Sequence, residues 1–126
     1  MILFLDDDQN RAAITYQRWP DKKRETTIWC TEAHQAISTL KDYEIEEAYL
    51  DHDLEGRCFV NSSHFNTGME VIRWLEKQDN LNKFSKTLFI VHSHNFGAAI
   101  QMVKRLQKLN LNVKCIPFGE SEVIVL

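Results

Sequence analysis

Tyr49-Leu50-Asp51-His52-Asp53-Leu54 is the stretch from which the fold is read. The apolar run Ala48-Tyr49-Leu50 passes directly into two carboxylates that flank an imidazole, and the chain beyond them is polar. Charged groups placed at the end of a buried strand are costly unless hydrogen bonds, opposite charges or a metal compensate them. A strand ending this way predicts a pocket at its carboxyl end. Two other apolar runs end alike. Ile2 to Leu5 runs into Asp6-Asp7-Asp8, and Lys86 to Val91 into His92-Ser93-His94-Asn95.

The segments between these runs carry the helical period. From Asp8 or Asn10, either of which can cap a helix, Ala12, Tyr16 and Trp19 share one face until Pro20 stops it. Asp21 to Glu25 reads as a polar turn, and Thr26 to Cys30, β-branched and aromatic, as a second strand. Thr31 is expected to cap a helix whose Ala33, Ala36, Ile37 and Leu40 form an apolar stripe. Ile45 to Leu50 is then the third strand, and residues 55 to 66, without any period, read as a loop over the site. Thr67-Gly68-Met69-Glu70 has the capping-box pattern ahead of a helix with Val71, Ile72 and Leu75 inward. After the fourth strand, Lys86 to Val91, Asn95 caps a helix that turns Ala99, Met102, Val103, Leu106 and Leu109 to the core, and Val113 to Ile116 is the fifth strand.

Strand and helix thus alternate five times, which predicts an α/β fold: a doubly wound five-stranded parallel sheet with right-handed crossovers. Ligands of such sheets bind beyond the carboxyl ends of the strands, where the strand order reverses. In a flavodoxin-like order 2-1-3-4-5 the first, third and fourth strands are neighbours, and their three polar ends converge.

At 126 residues the chain is expected to be one domain, 1–126, with an ordinary globular composition of 44% hydrophobic residues. A net charge of -3 argues against a broadly basic nucleic-acid face, though not against a local basic patch. Cys30, Cys58 and Cys115 form no CxxC pair, so neither a zinc knuckle nor a disulfide framework is expected. The start, Met1-Ile2-Leu3-Phe4-Leu5, turns acidic at once, and no run approaches the ~18 apolar residues of a membrane span. The expected location is the cytoplasm, with no membrane partner.

Asp6, Asp7, Asp51 and Asp53 together offer the hard oxygen donors that suit Mg²⁺, Mn²⁺ or Ca²⁺. His52, His92 and His94 are proton-transfer candidates, and as nitrogen donors they would move the preference toward Mn²⁺ or Zn²⁺. Ser93, Asn95, Thr67 and Arg57 are the candidate contacts to a substrate phosphate. Plainer roles stand beside these: Asp8 and Asn95 as helix caps, His64 as a surface loop histidine, Arg57 as a solvated loop arginine.

An acidic cluster after the first strand, an aspartate after the third and a small hydroxyl after the fourth resemble the receiver domains of two-component signalling. That resemblance equates Asp51 with the phosphorylated aspartate, Asp6 and Asp7 with the metal-binding acids and Ser93 with the switch hydroxyl. Ile116-Pro117-Phe118 stands where receivers carry a lysine, and the last receiver helix is expected to be short or missing. A closer resemblance is to the cyclic-phosphate processing receiver domains. It is carried by Leu5-Asp6-Asp7-Asp8, Leu50-Asp51-His52-Asp53-Leu54, Thr67-Gly68 ahead of Trp74-Leu75, and His92-Ser93-His94-Asn95 followed by Gly97 and Met102. It implies action on a cyclic phosphate, and it favours His92, Ser93 and Asn95 over His94.

The expected function is a metal-assisted phosphoesterase acting on an RNA 2′,3′-cyclic end or a cyclic nucleotide. Asp6, Asp7, Asp51 and Asp53 would hold the metal, and His92, with His52 as second candidate, would transfer protons at a site built on Asp51. The alternative is a non-catalytic degenerate receiver that senses a nucleotide or docks a protein. A third reading, Asp6 as nucleophile of a haloacid-dehalogenase-type phosphatase, lacks that family's Thr or Val at Asn10. A short tail, Glu120 to Leu126, would leave apolar surface that a homodimer could bury.

Overall fold

A computed structural model describes residues 1–54, 61–93 and 95–116. Five strands, β1 (Ile2–Leu5), β2 (Thr27–Cys30), β3 (Glu47–Leu50), β4 (Leu88–Val91) and β5 (Asn112–Cys115), alternate with helices. The helices are α1 (Gln9–Arg18), α2 (Asp21–Glu25), α3 (Ala33–Asp42), α4 (Gly68–Glu76) and α5 (Phe96–Lys108), with a 3₁₀ turn at Asn82–Phe84. The sheet is parallel in the expected order β2-β1-β3-β4-β5.

Register is what positions the site. Leu5 pairs with Leu50, and Leu50 with Val91. The ladder runs one residue further, Asp51 N donating to the Leu5 carbonyl and His92 N to that of Leu50. Asp6, Asp51 and His92 therefore leave the sheet at one level.

Alternation along the strands sends Leu3, Leu5, Ala48, Leu50, Phe89 and Val91 into one core with Ala36 and Leu40 of α3, Ile72 and Leu75 of α4, and Met102 and Leu106 of α5. Each of these leucines is fully buried, a gain of about 1.5–3 kcal/mol relative to exposure. On the opposite face Phe4 and Tyr49 pack with Tyr16 and Trp19, the rings in contact lying 5.0–5.9 Å apart. Lys23 closes this cluster, its ammonium 4.3 Å from the Trp19 ring centre, 2.8 Å from the Tyr49 hydroxyl and 3.1 Å from Glu47. Burial alone would lower the Lys23 ammonium, but the hydrogen bonds to Tyr49 and Glu47 outweigh it and hold it above its ordinary value.

Three local expectations are corrected. Asp21–Glu25 is a short helix rather than a turn, because Pro20 has the backbone of a helix start and its carbonyl accepts from Lys23 N and Arg24 N. Glu32, not Thr31, caps α3 in a reciprocal box with Gln35, whose side-chain oxygen also draws in Thr31. Thr67 is the residue before α4, but no box forms there. Its hydroxyl donates to the His64 carbonyl, and Glu70 turns to Arg73. Asp8 and Asn95 do cap their helices, accepting from Asn10 N at 2.8 Å and Ala98 N at 3.2 Å. No helix among the described residues is long and apolar enough to cross a membrane. The tail, on which the short last helix and the homodimer were expected, lies outside the described residues, as do Arg57 and His94.

Candidate functional site

One carboxylate oxygen each from Asp6, Asp7 and Asp51 lies within 4.8 Å of the others, with Asp6 and Asp51 fully buried. Backbone amides hold two of them, Asp8 N donating to Asp6 Oδ1 and His52 N to Asp51 Oδ1, both at 2.9 Å. The Trp29 indole donates to the Asp6 carbonyl at 2.6 Å and ties the edge strand to this corner. Unit charges at such separations repel by roughly 3–4 kcal/mol per pair at an effective dielectric of about 20. Oxygen donors alone, from three carboxylates on two adjacent strand ends, fit a hard divalent cation.

His92 lies beside this group, its Nδ1 3.8 Å from Asp6 Oδ2. Its ring stacks on Phe4, with centroids 5.1 Å apart and planes at 19°, and meets Tyr49 edge-on at 6.1 Å. The cluster of α1 and α2 behind these rings therefore fixes the plane of the imidazole. Ser93 is buried and its hydroxyl accepts from Asn95 N at 3.1 Å. Asn95 spans the turn, capping α5 with Oδ1 while Nδ2 donates to Asp53 Oδ1 at 3.2 Å.

The Asp53 side of the site is built differently. Fully buried His52 sits with Nδ1 2.6 Å from Asp53 Oδ1 and Nε2 2.9 Å from the Ser62 hydroxyl. Asp53 also pairs with Thr67 through an antiparallel bridge, and Gly68 N donates to the His52 carbonyl at 2.9 Å. A Cβ at Gly68 would come within 2.0 Å of the Asp51 carbonyl oxygen, so only glycine lets α4 start this close to the end of β3. Arg73 binds the carbonyls of Ser62 and His64 at 2.5 and 3.0 Å, and the Asn66 side chain accepts from Ala33 N at the start of α3.

Of the residues expected to form the site, Asp6, Asp7, Asp51 and His92 gather at one point, with Ser93 and Asn95 on the adjoining turn. Asp53 lies outside the three-carboxylate group, and His52 and Thr67 stand with it in a hydrogen-bonded brace under residues 61–66. Sequence reading missed Gly68, Arg73, Asn66 and Ser62 as parts of that brace. The pair Thr67-Gly68 signalled the first, and nothing local signals Asn66, whose partner is 33 residues away.

The profile of the cyclic-phosphate processing receiver domain matches residues 1–108. No curated protein shows a significant match. Among solved structures, the fold is similar to the signal receiver domain of a Vibrio parahaemolyticus protein described as a Luxo repressor. The TM-score is 0.61 and the identity 15%, over 94% of this chain and 77% of that one, a likeness that speaks for the fold. The profile match takes in every element from β1 to α5 and every residue of the site just described, and the chain belongs to the cyclic-phosphate processing receiver domain family.

Proposed function

We propose that the protein is a cytoplasmic metal-assisted phosphoesterase, a hydrolase that opens a cyclic phosphate such as the 2′,3′-cyclic end left in RNA processing or a cyclic nucleotide. The observation that carries this reading is the place of Asp6, shared between the three-carboxylate group and the imidazole of His92. Asp6, Asp7 and Asp51 would hold Mg²⁺ or Mn²⁺, with Zn²⁺ a poorer fit to oxygen donors alone. Such an ion, when bound, screens the phosphate charge and polarises a water.

Ring opening forms one bond from a water oxygen to phosphorus and breaks one ring P–O ester bond; the water loses a proton and the leaving oxygen gains one. His92, with its ring plane fixed by Phe4 and Tyr49, would carry one of those protons. The Ser93 hydroxyl accepts from Asn95 N and so has its own hydrogen to offer a phosphate oxygen. A Cβ at Gly97, in the first turn of α5, would meet none of the described residues within 4 Å, and the first amides of that helix favour an anion. Asp53 and His52 support the site through Asn95 and Gly68 rather than by meeting the metal.

The test is hydrolysis of a panel of nucleotide 2′,3′-cyclic and 3′,5′-cyclic phosphates with Mg²⁺, Mn²⁺ or Zn²⁺, followed by chromatography, beside calorimetric metal binding. Asp51→Asn removes a negative charge from the ion's donors, so metal affinity and turnover should fall together. A folded wild-type protein that binds a nucleotide yet turns over none of the panel would leave a non-catalytic sensing module as the function.

A further inference from the structure

Phe65 is the most exposed large apolar side chain of the described residues, at 73%, and Phe96 stands at 43%. An exposed ring alone needs no explanation. These two have a shared place. Asp53 bridges to Thr67, two residues after Phe65, and its carboxylate accepts from Asn95, which directly precedes Phe96. Two residues of chain span at most about 7 Å, so the backbone at both positions lies on the Asp53 side of the edge where β3 and β4 end.

The segment that carries Phe65 is also braced. The carbonyls on either side of Ser63 are held by Arg73, Asn66 N donates to His64 Nδ1 at 3.1 Å, and the Asn66 side chain anchors to α3. The Phe65 ring itself stacks on His64, with centroids 4.7 Å apart and planes at 24°. A flat apolar ring is thus held open to solvent on a fixed support. Its outer face lacks the cover that a core ring has, although burying such a face is favourable.

We infer that Phe65 is the stacking platform for the base of the substrate, so that the ligand is a nucleoside or RNA cyclic phosphate and not a bare cyclic phosphate ester. The inference rests on the phosphoesterase reading for the placement of the phosphate end. Stacking on an aromatic ring is tolerant of base identity, because every base has a π-face. The platform therefore predicts a requirement for a base with little preference among bases.

Calorimetric titration of the full chain with adenosine, cytidine, guanosine and uridine 2′,3′-cyclic phosphates tests this, with glycerol 1,2-cyclic phosphate as the base-free probe. Phe65→Ala should weaken every nucleotide by roughly 5- to 150-fold, the equivalent of a lost base stack, and leave the glycerol ester unchanged. Phe65→Trp should restore binding, and Tyr43→Ala, which removes an exposed ring at the far end of α3, should change nothing. A short RNA with a cyclic end that binds more tightly than the mononucleotides identifies the end of a strand as the ligand; equal affinity identifies the free nucleotide. Equal binding by Phe65→Ala and wild type, equal affinity of wild type for nucleotides and the glycerol ester, or no nucleotide binding at all overturns the platform. Nucleotide binding that depends on Phe65 but leads to no hydrolysis keeps the platform and removes the phosphoesterase.

Discussion

His52 and His92 are both buried imidazoles beside an aspartate at the carboxyl edge of one sheet, yet they are fixed by opposite means. His52 is held through its nitrogens, one on Asp53 and the other on Ser62. His92 is held through its ring faces, stacked on Phe4 and met by the edge of Tyr49, with Asp6 at 3.8 Å. Hydrogen bonds at both nitrogens tie the His52 imidazole into the brace, whereas packing on its ring sets the plane of His92 at the edge of the three-carboxylate group. In the proposed phosphoesterase that difference would make His52 a support and His92 the reacting group, although the sequence presents both as a histidine next to acids.

The largest expected effect tests that assignment directly. His92→Gln should lower turnover of a cyclic phosphate by a factor on the order of 10²–10⁴, about 3–5 kcal/mol of barrier, while substrate affinity and the melting temperature stay close to wild type. An unchanged rate would break the comparison from the His92 side and transfer the proton role elsewhere.

Gly68→Ala attacks the other side. The added Cβ meets backbone, the Asp51 carbonyl, and not the end of a flexible side chain, so α4 and the end of β3 must separate. A loss of about 2–3 kcal/mol in urea unfolding is expected, together with weaker metal binding, because Asp51 moves with its carbonyl. If stability is unchanged, the two segments are not locked as described.

His52→Gln should cost less, about 1–2 kcal/mol, since it weakens hydrogen bonds at Asp53 and Ser62 without a clash. The diagnostic is its contrast with His92→Gln: stability and hydrogen-exchange protection at Gly68 N should fall, and the turnover of the folded protein should stay within a few-fold of wild type. A rate loss as deep as that of His92→Gln, in protein shown to be folded, would erase the distinction between the two histidines.

The smallest effect is expected where neither histidine takes part. Glu76 of α4 pairs with Arg105 of α5, and the hydrogen bond from Arg105 lowers the Glu76 carboxyl below its ordinary value. A depressed folded value means that the pair's stabilisation is present above the unfolded carboxylate range and is lost as pH falls through the folded value. The two side chains are 33% and 32% exposed and reach solvent, so the contribution is at most about 1 kcal/mol and is screened by salt. Arg105→Ala should flatten this acid-side slope in low-salt melts and leave turnover alone. A larger effect, or one indifferent to salt, would show that the α4–α5 surface is coupled to the site.

The sequence by itself determined the sheet and the three polar strand ends. Short apolar runs separated by segments of helical period leave few arrangements other than a parallel sheet between helices, and Asp6, Asp51 and His92 announce themselves as charge placed directly after a strand. Capping was legible only where it is local, as at Asp8 and Asn95, and was misread at Thr31 and Thr67, where Gln35 and His64 compete for the same groups. Which of the acids and histidines stand together was decided by tertiary structure alone. Whether an aspartate joins the three-carboxylate group or the brace depends on distances between strand ends far apart in sequence. Asp53 and Asp51 are two residues apart, but one carboxylate lies with Asp6 and Asp7, and the other accepts from Asn95, 42 residues on. Local sequence fixes which groups are present at the edge; only the register of β1, β3 and β4 and the close approach of α4 at Gly68 fix which of them meet.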